Sequence, residues 1–413
     1  MRLLFVCKSL PFSFKGGIQT HVWELTQQLV ALGNEVTILT AGSWRSGLET
    51  TEKEGRTIIH LPYPPGRRIP LLRKTLEDVS FNFAAYGWLK KHSENYDRIH
   101  LQGRSGCFYA AIRTPGVGTP VVTTFHRLLQ VEYDYDGQRT GKIDGFFHRL
   151  TMGFAERAAA RKSDHVIAVS KEMKRELVNF IGGNLSPISI LPNGVNRAFG
   201  DRLIDKDRWQ LVFVGRLESI KGVYTLLKAM PHMDSRVELV LIGDGPERKA
   251  LEELTKSLSL RMRVKFLGDQ DSTSVRYWIQ RSFALILPSF HESQGIVLLE
   301  AGICGRPVIG ANSPGINEMV EHGYNGLLFP AGDVSSLAIS VNHVFKNPLL
   351  ATRLGKAGRS RALSYYDWTG IANQTQEVYR SIGVQNAGER LVPKAIVRHK
   401  NSTSISLLNI KSA

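Results

Sequence analysis

Ser289–Gly315 reads SFHESQGIVLLEAGICGRPVIGANSPG. FALILPS leads into it as an apolar run of strand length, GIVLLEAGICG carries helical spacing until Gly305 stops it, and RPVIGA returns to an extended apolar run. Strand, loop, helix and strand over roughly thirty residues make one βαβ unit, whose two strands lie parallel. Neither strand shows the polar alternation of a half-exposed sheet, as expected where helices cover both faces. Glu300 interrupts the apolar helix among Leu298, Leu299, Ala301 and Ile303, with seven residues between it and Glu292. A carboxylate in such surroundings needs a partner, because a buried unpaired charge is costly.

The same alternation extends in both directions. Upstream, RLLFVC, EVTILT, RTIIHLP, DRIHLQG, PVVTTFH, DHVIAVS and ISILPNG read as strands. Between the first two, GIQTHVWELTQQLVALG predicts a helix with Val22, Leu25, Leu29, Val30 and Leu32 on one face and Gly33 at its end. The pattern pauses at VNRAFGDRLIDKDR and resumes with WQLVFVGRL, VELVLIGDG, VKFLGD, FALILPS, RPVIGA and GLLF. The reading is α/β: two doubly wound, Rossmann-like domains over residues 1–195 and 209–365, joined by a linker over 196–208. Residues from Ser335 to about Ile382 read as wholly helical, with 366–382 a closing helix that returns to the first domain. The polar, basic remainder, 383–413, has no period and reads as a mobile tail.

Composition fits this organisation. A chain of 413 residues with 42% hydrophobic content can bury two cores. Cys7, Cys107 and Cys304 are an odd, widely separated set without metal-ligand spacing, which fits a reducing compartment. The start, MRLLFVCKSLPFS, has too brief an apolar run for a secretory signal, and no window approaches a membrane span, so a cytoplasmic chain is expected. Against 37 acids stand 53 Lys and Arg, for a formal net charge of +16, which calls for an anionic partner. GRRIPLLRK, Gly66 to Lys74, mixes Arg67, Arg68, Arg73 and Lys74 with Ile69, Leu71 and Leu72. Cations among aliphatics suit an anionic membrane surface; a nucleic-acid groove would favour aromatics for stacking, so no nucleic acid is expected. A solvated loop and helix start is the plain alternative.

Ligands of such folds bind beyond the carboxyl ends of the strands. Gly16 and Gly17 open the first helix there and leave backbone N–H groups to an anion or a sugar hydroxyl. In the second domain, Arg216 lies just past a strand and Lys221 at the entrance to the next helix, a pairing suited to a diphosphate. Gly243, in Gly-Asp-Gly, forms a turn that lets backbone approach a ligand. Ser293, Gln294 and Gly295 begin the helix that continues through Ile296 and Val297, with free N–H groups towards the cleft. Glu300 then sits about 7 Å further in, at 1.5 Å per residue, roughly the distance from a diphosphate to its ribose. A carboxylate there accepts two hydrogen bonds from a ribose diol, and Glu292 on the loop faces the sugar side. The alternative is a Glu300 ion-paired to an arginine. YDYDG holds Asp134 and Asp136, formally an Asp-x-Asp metal motif, but that motif needs a different domain around it, so a structural or acceptor-facing role is expected.

At these residues the chain resembles the retaining nucleotide-sugar glycosyltransferases of family 4. The likeness runs from residue 1 to about 380 through KGGIQTHVWELTQQLVALGNEVTILT, TTFH, VIAVSKEM, LPNGVN, FVGRLESIKG, LIGDGPE, FLGDQ, PSFHESQGIVLLEAGICGRPVIG and NGLLF, in that order. The resemblance implies the GT-B fold, an acceptor-binding first domain, a donor-binding second domain, and transfer of a sugar with retention. By the same resemblance, Arg216 and Lys221 bind the donor diphosphate, Glu300 the ribose, Glu292 lies at the transferred sugar, and His126 lies beside the acceptor. The implied partners are a UDP- or GDP-linked sugar and a glycan or lipid-linked acceptor, in cell-envelope or exopolysaccharide synthesis. The protein would then work at the inner face of a membrane, with neither metal nor cofactor. Ser293 and Gln294 depart from the small residue and Phe usual after the first acid, which places a polar Gln294 in the sugar pocket. Pro314 and Gly315 stand where the family has paired glycines. A nucleotide-sugar epimerase and a non-catalytic sugar-nucleotide-binding protein are the other readings.

Overall fold

The computed structural model describes residues 1–13, 16–64, 70–130, 142–182, 186–200 and 209–382. Asp134, Asp136, Arg67, Arg68, Ile69 and the tail from 383 lie outside the described residues. The first sheet has eight strands: β1 (Arg2–Val6), β2 (Glu35–Gly42), β3 (Glu49–Lys53), β4 (Arg56–Pro62), β5 (Arg98–Gln102), β6 (Val121–Phe125), β7 (His165–Ala168) and β8 (Ile188–Ile190). Their order is β3-β4-β2-β1-β5-β6-β7-β8. All pairs are parallel except β3 on β4. The antiparallel β3 reads ETTEK and is exposed along its whole length, so no apolar run announces it.

The second sheet has six strands: β9 (Gln210–Val214), β10 (Glu238–Ile242), β11 (Val264–Gly268), β12 (Ala284–Leu287), β13 (Val308–Asn312) and β14 (Gly326–Pro330). The order is β11-β10-β9-β12-β13-β14, parallel throughout. Each of the six apolar runs read from the sequence in this half is one of these strands. Inner strands of both sheets, such as VVTTF in the first and ALIL in the second, are buried at every position, because helices cover both sheet faces.

This winding fixes where a site can form. In the first sheet the chain winds outward from β1 to β4, then returns to β5 on the other side of β1; in the second it winds from β9 to β11 and returns to β12. A crevice opens at each reversal, beyond the carboxyl ends of β1 and β5 and of β9 and β12. The last helix, Trp368–Ser381, crosses back to the first domain. Tyr379 Oη lies 2.5 Å from His100 Nδ1, Arg98 Nε donates to Tyr379 O at 2.7 Å, and Thr369 Oγ1 donates to Gln28 Oε1 at 3.1 Å. The stretch read as a polar linker begins as a packed 3-10 turn, Arg197–Gly200. There Phe199 O accepts from Gln280 Nε2 at 2.6 Å and from Cys304 Sγ at 3.2 Å, which binds the turn to the second domain.

Candidate active site

Two backbone-to-backbone contacts shape the donor side. Gly243 has φ +122°, and a Cβ there would lie 2.1 Å from Gly215 O, so the loops after β9 and β10 close on each other. This glycine, expected to admit a ligand, also lets a neighbouring loop approach. Gly315 has φ +78°, and its Cβ would lie 1.9 Å from Glu292 O, while Glu292 N donates to Pro314 O at 3.0 Å. The loop after β13 therefore props the loop that carries Glu292, and a side chain at 315 would push it out of place.

On this frame Arg216 follows β9, and its Nε donates to Glu218 Oε1, a buried acid two residues on. Lys221 ends the short 3-10 turn Ser219–Lys221, and its Nζ donates to Glu292 Oε1 at 2.6 Å. Ser289 Oγ donates to the same oxygen at 2.8 Å. Both cations predicted from the sequence are thus matched by acids in the free protein. Lys221 keeps further N–H donors beyond the one used, since an ammonium has three. The helix Ile296–Ile303 starts at Gly295 with no side-chain cap. Its first-turn N–H groups, at Ile296 and Val297 among others, have no partner inside the helix and carry the positive end of its dipole.

Glu300 projects from the same helix. No hydrogen bond or ion pair joins its carboxyl to the described residues, and burial lifts it from the usual 4.5 to about 7. Its accessible surface is intermediate rather than nil, so the carboxyl sits in a recess with an opening. The arginine partner that would have made it a structural acid is absent among the described residues. A desolvated, unpartnered carboxyl one helical turn behind an open helix start has its hydrogen-bond acceptors unused by the described residues.

Across the cleft, Gly16 precedes the first helix, Gly17–Ala31, in extended conformation. A Cβ on Gly17 would lie 3.4 Å from Ile296 Cδ1, so the glycine loop of the first domain faces the helix start of the second. His126 follows β6 and is buried, with Nε2 2.9 Å from Gln102 Oε1. With that amide oxygen accepting, His126 carries its proton on Nε2 and presents a lone pair on Nδ1. Its ring meets His21 edge-on at 4.6 Å, and His21 meets Trp368 at 5.4 Å. Burial, with help from His21 and His100, presses His126 well below the ordinary imidazole range; burial presses His21 to about 4, partly offset by Asn193. Both rings are neutral at physiological pH.

Gln294 requires a correction. Its side chain does not line a sugar pocket: Oε1 accepts from Asn193 N at 2.7 Å and from Asn193 Nδ2 at 2.5 Å, and Nε2 donates to Asn193 O at 2.9 Å. The residue is buried and joins the two domains. Ser293, next to it, stays on the partly exposed loop. Two more contacts cross the same junction. His291 Nε2 lies 2.7 Å from Glu176 Oε1, and Glu318 accepts from Lys171 N and Glu172 N at 2.8 and 2.6 Å. Glu172, Glu176 and His291 each bring a ligand atom within 4.8 Å of the others, a spacing that could hold a cation. His21, Asn193 and Gln102 were not singled out from the sequence. For His21 a signal existed, a histidine on the apolar face of the helix that Gly16 and Gly17 open.

Two facing parallel-sheet domains with this cleft define the GT-B glycosyltransferase fold. Residues 15–199 match the family described as Glycosyltransferase Family 4, and residues 195–361 that described as Glycosyl transferases group 1. The chain belongs to this family of glycosyltransferases. Glycogen synthase of Mycobacterium tuberculosis is 28% identical over 397 residues, covering 92% of this chain and 94% of that one. Phosphatidyl-myo-inositol mannosyltransferase of Mycobacterium leprae is 25% identical over 401 residues, covering 94% and 98%. Among solved structures, the sucrose-phosphate synthase of Thermosynechococcus elongatus superposes with a TM-score of 0.79 at 23% identity, over 93% of this chain and 99% of that one. Anabaena HepE in complex with UDP-glucose superposes at 0.71 and 20% identity, over 92% and 100%.

Proposed function

We propose that the protein transfers a sugar from a UDP- or GDP-linked donor to a hydroxyl of a glycan or lipid-linked acceptor, with retention of anomeric configuration, in envelope or exopolysaccharide synthesis at the inner face of a membrane. The observation that carries this reading is Glu300, an unpartnered carboxyl one turn along the helix that opens at Gly295, just past the loop on which Glu292 meets Lys221. The diphosphate would rest on Arg216, Lys221 and the N–H groups of Ile296 and Val297, and the ribose diol would donate to Glu300. Glu292 would reach the sugar through the oxygen that Lys221 and Ser289 leave open. As the bond from the anomeric carbon to phosphate opens, negative charge grows on the departing oxygen and positive charge on the sugar ring. Fixed cations at the first and an acid at the second lower the barrier without a metal. The test is a panel of UDP- and GDP-sugars with and without lipid and glycan extracts, with the anomeric configuration of the product read by NMR. Acceptor-independent sugar products, or an inverted linkage, would sink the proposal.

A further inference from the structure

One helical stripe on the first domain exposes what a helix ordinarily buries. Helix Lys142–His148, a π turn over Arg149–Gly153 and helix Phe154–Lys162 follow without a break. Along them Ile143, Phe146, Phe147, Leu150 and Phe154 recur at helical spacing, and all five are between 42% and 75% exposed. The opposite face, with Asp144, His148, Met152, Ala155, Glu156 and Ala159, is buried. The stripe is therefore not a core face left bare, because this helix already has a core face.

The buried face is fastened to the rim of the cleft. His148 Nε2 lies 2.9 Å from Asp78 Oδ2, whose other oxygen accepts from Lys8 Nζ at 2.6 Å, and Lys8 lies just beyond β1. Glu156 Oε2 accepts from Leu129 N at 3.0 Å, three residues past His126. Asp144 accepts from Lys74 N and Thr75 N at 3.0 and 3.1 Å, which brings exposed Leu71 and Arg73 beside the stripe. Arg149 and Arg157 add exposed cations along it. The described end of the basic and aliphatic run, Leu71 to Lys74, thus lies beside an aromatic face on the segment that is tied to Leu129, three residues past His126.

We propose that this stripe lies in the headgroup region of an anionic bilayer, with Phe146, Phe147, Leu150 and Phe154 entering the acyl boundary and the surrounding arginines on lipid phosphates. Apolar side chains on one face, rimmed by cations, on a chain of net charge +16, are complementary to a negative lipid surface and not to a basic second copy. The placement rests on the lipid-linked acceptor proposed above, and it would set the acceptor opening at the depth of a lipid headgroup.

The test uses the full chain and vesicles of phosphatidylcholine with and without phosphatidylglycerol. Flotation should retain the protein on the anionic vesicles, more at low salt than at high. The combined variant Phe146→Ser, Phe147→Ser, Phe154→Ser should partition on the order of a hundredfold more weakly, with nucleotide affinity and melting temperature unchanged. Phe154→Trp should shift its emission to the blue on these vesicles and be quenched by brominated lipid. Equal retention of the triple variant, an unquenched tryptophan on bound vesicles, or a wild-type dimer that the triple variant dissociates would each overturn the proposal. Transfer to a soluble glycan without vesicle binding would remove this inference and leave the function; vesicle binding without transfer would do the reverse.

Discussion

Replacing Glu300 with Gln should make the protein more stable at pH 8 and a poorer donor binder, and both effects follow from one carboxyl. Burial raises Glu300 from 4.5 to about 7, so the folded protein holds this proton more tightly than the unfolded chain. Below pH 4.5 both states are protonated and the acid costs nothing. The cost grows as pH rises towards 7 and is complete above it, at about 3 kcal/mol from 1.36 kcal/mol per tenfold. A glutamine at this position never ionises, so the melting temperature of the variant should exceed the wild type's by on the order of 5–10 °C at pH 8 and by nothing near pH 4.

Donor binding runs the other way. A ribose diol donates two hydrogen bonds to the carboxylate form, so a donor must expel the proton wherever Glu300 still holds it. Affinity should rise about tenfold between pH 6 and pH 8, with about half a proton released per donor at pH 7. A nucleoside diphosphate sugar has no terminal phosphate proton in this range to confuse the count. Calorimetry in two buffers of different ionisation enthalpy measures the release directly. In the Gln variant the pH dependence should vanish and affinity at pH 8 should fall roughly tenfold. Affinity flat from pH 6 to 8, with no proton released, would refute the assignment of Glu300 to the ribose.

The other expected outcomes are each tied to one contact. Lys221→Ala and Arg216→Ala should each lower turnover by about 10²- to 10³-fold, while chelator leaves the unmodified enzyme active; loss of activity to chelator with recovery in manganese would instead direct attention to Glu172, Glu176 and His291. Gln294→Leu strands two donors and an acceptor of Asn193 and should cost about 1–3 kcal/mol in thermal or urea unfolding, whereas lost donor affinity with unchanged stability would return Gln294 to the sugar pocket. Gly315→Ala forces a side chain against Glu292 O and should cut turnover at least about tenfold with nucleotide affinity retained, because the strain of one such residue, about 1–3 kcal/mol, is relieved by moving the Glu292 loop. Vesicle flotation of the phenylalanine variants tests the membrane stripe.

Strands buried on both faces were legible because their apolar runs have no competing period, and the helix starting near Gly295 was legible because IVLLEAGI carries helical spacing between Gly295 and Gly305. β3 was not, because ETTEK pairs through its backbone alone and buries nothing. The two cations and Glu292 could be placed past strand ends, and Glu300 on the helix that follows, from spacing. Their pairing could not: Lys221 meets Glu292 across 71 positions, and Gln294 meets Asn193 across 101. A polar residue where apolar ones are usual is readable as an anomaly, but its partner is decided by how two domains close, which no local pattern encodes. Glu300 is the converse case, since an acid among aliphatics already implied a ligand or an ion pair, and the described residues offer no ion pair.

On the proposed reading, the electrostatic layout of the cleft explains why burial matters beside His126. A reaction that opens a bond between a sugar and a phosphate separates charge along one axis, positive at the anomeric carbon and negative at the departing oxygen. A protonated histidine beside the carbon would oppose that separation. His126 and His21 are kept neutral by burial, and His21 gains a proton only near pH 4. On the proposed reading Arg216 and Lys221 bring full positive charge to the phosphate side, with Glu292, bonded to Lys221, between it and the sugar. Gln294 fixes the distance between the two sides by holding Asn193 next to His21. On this layout the fall of activity with acidity has its midpoint at the acid near 7, not at an imidazole. Replacing Glu300 with Gln should therefore flatten the acid limb of the rate profile, while replacing His21 with Asn should leave its midpoint where it is.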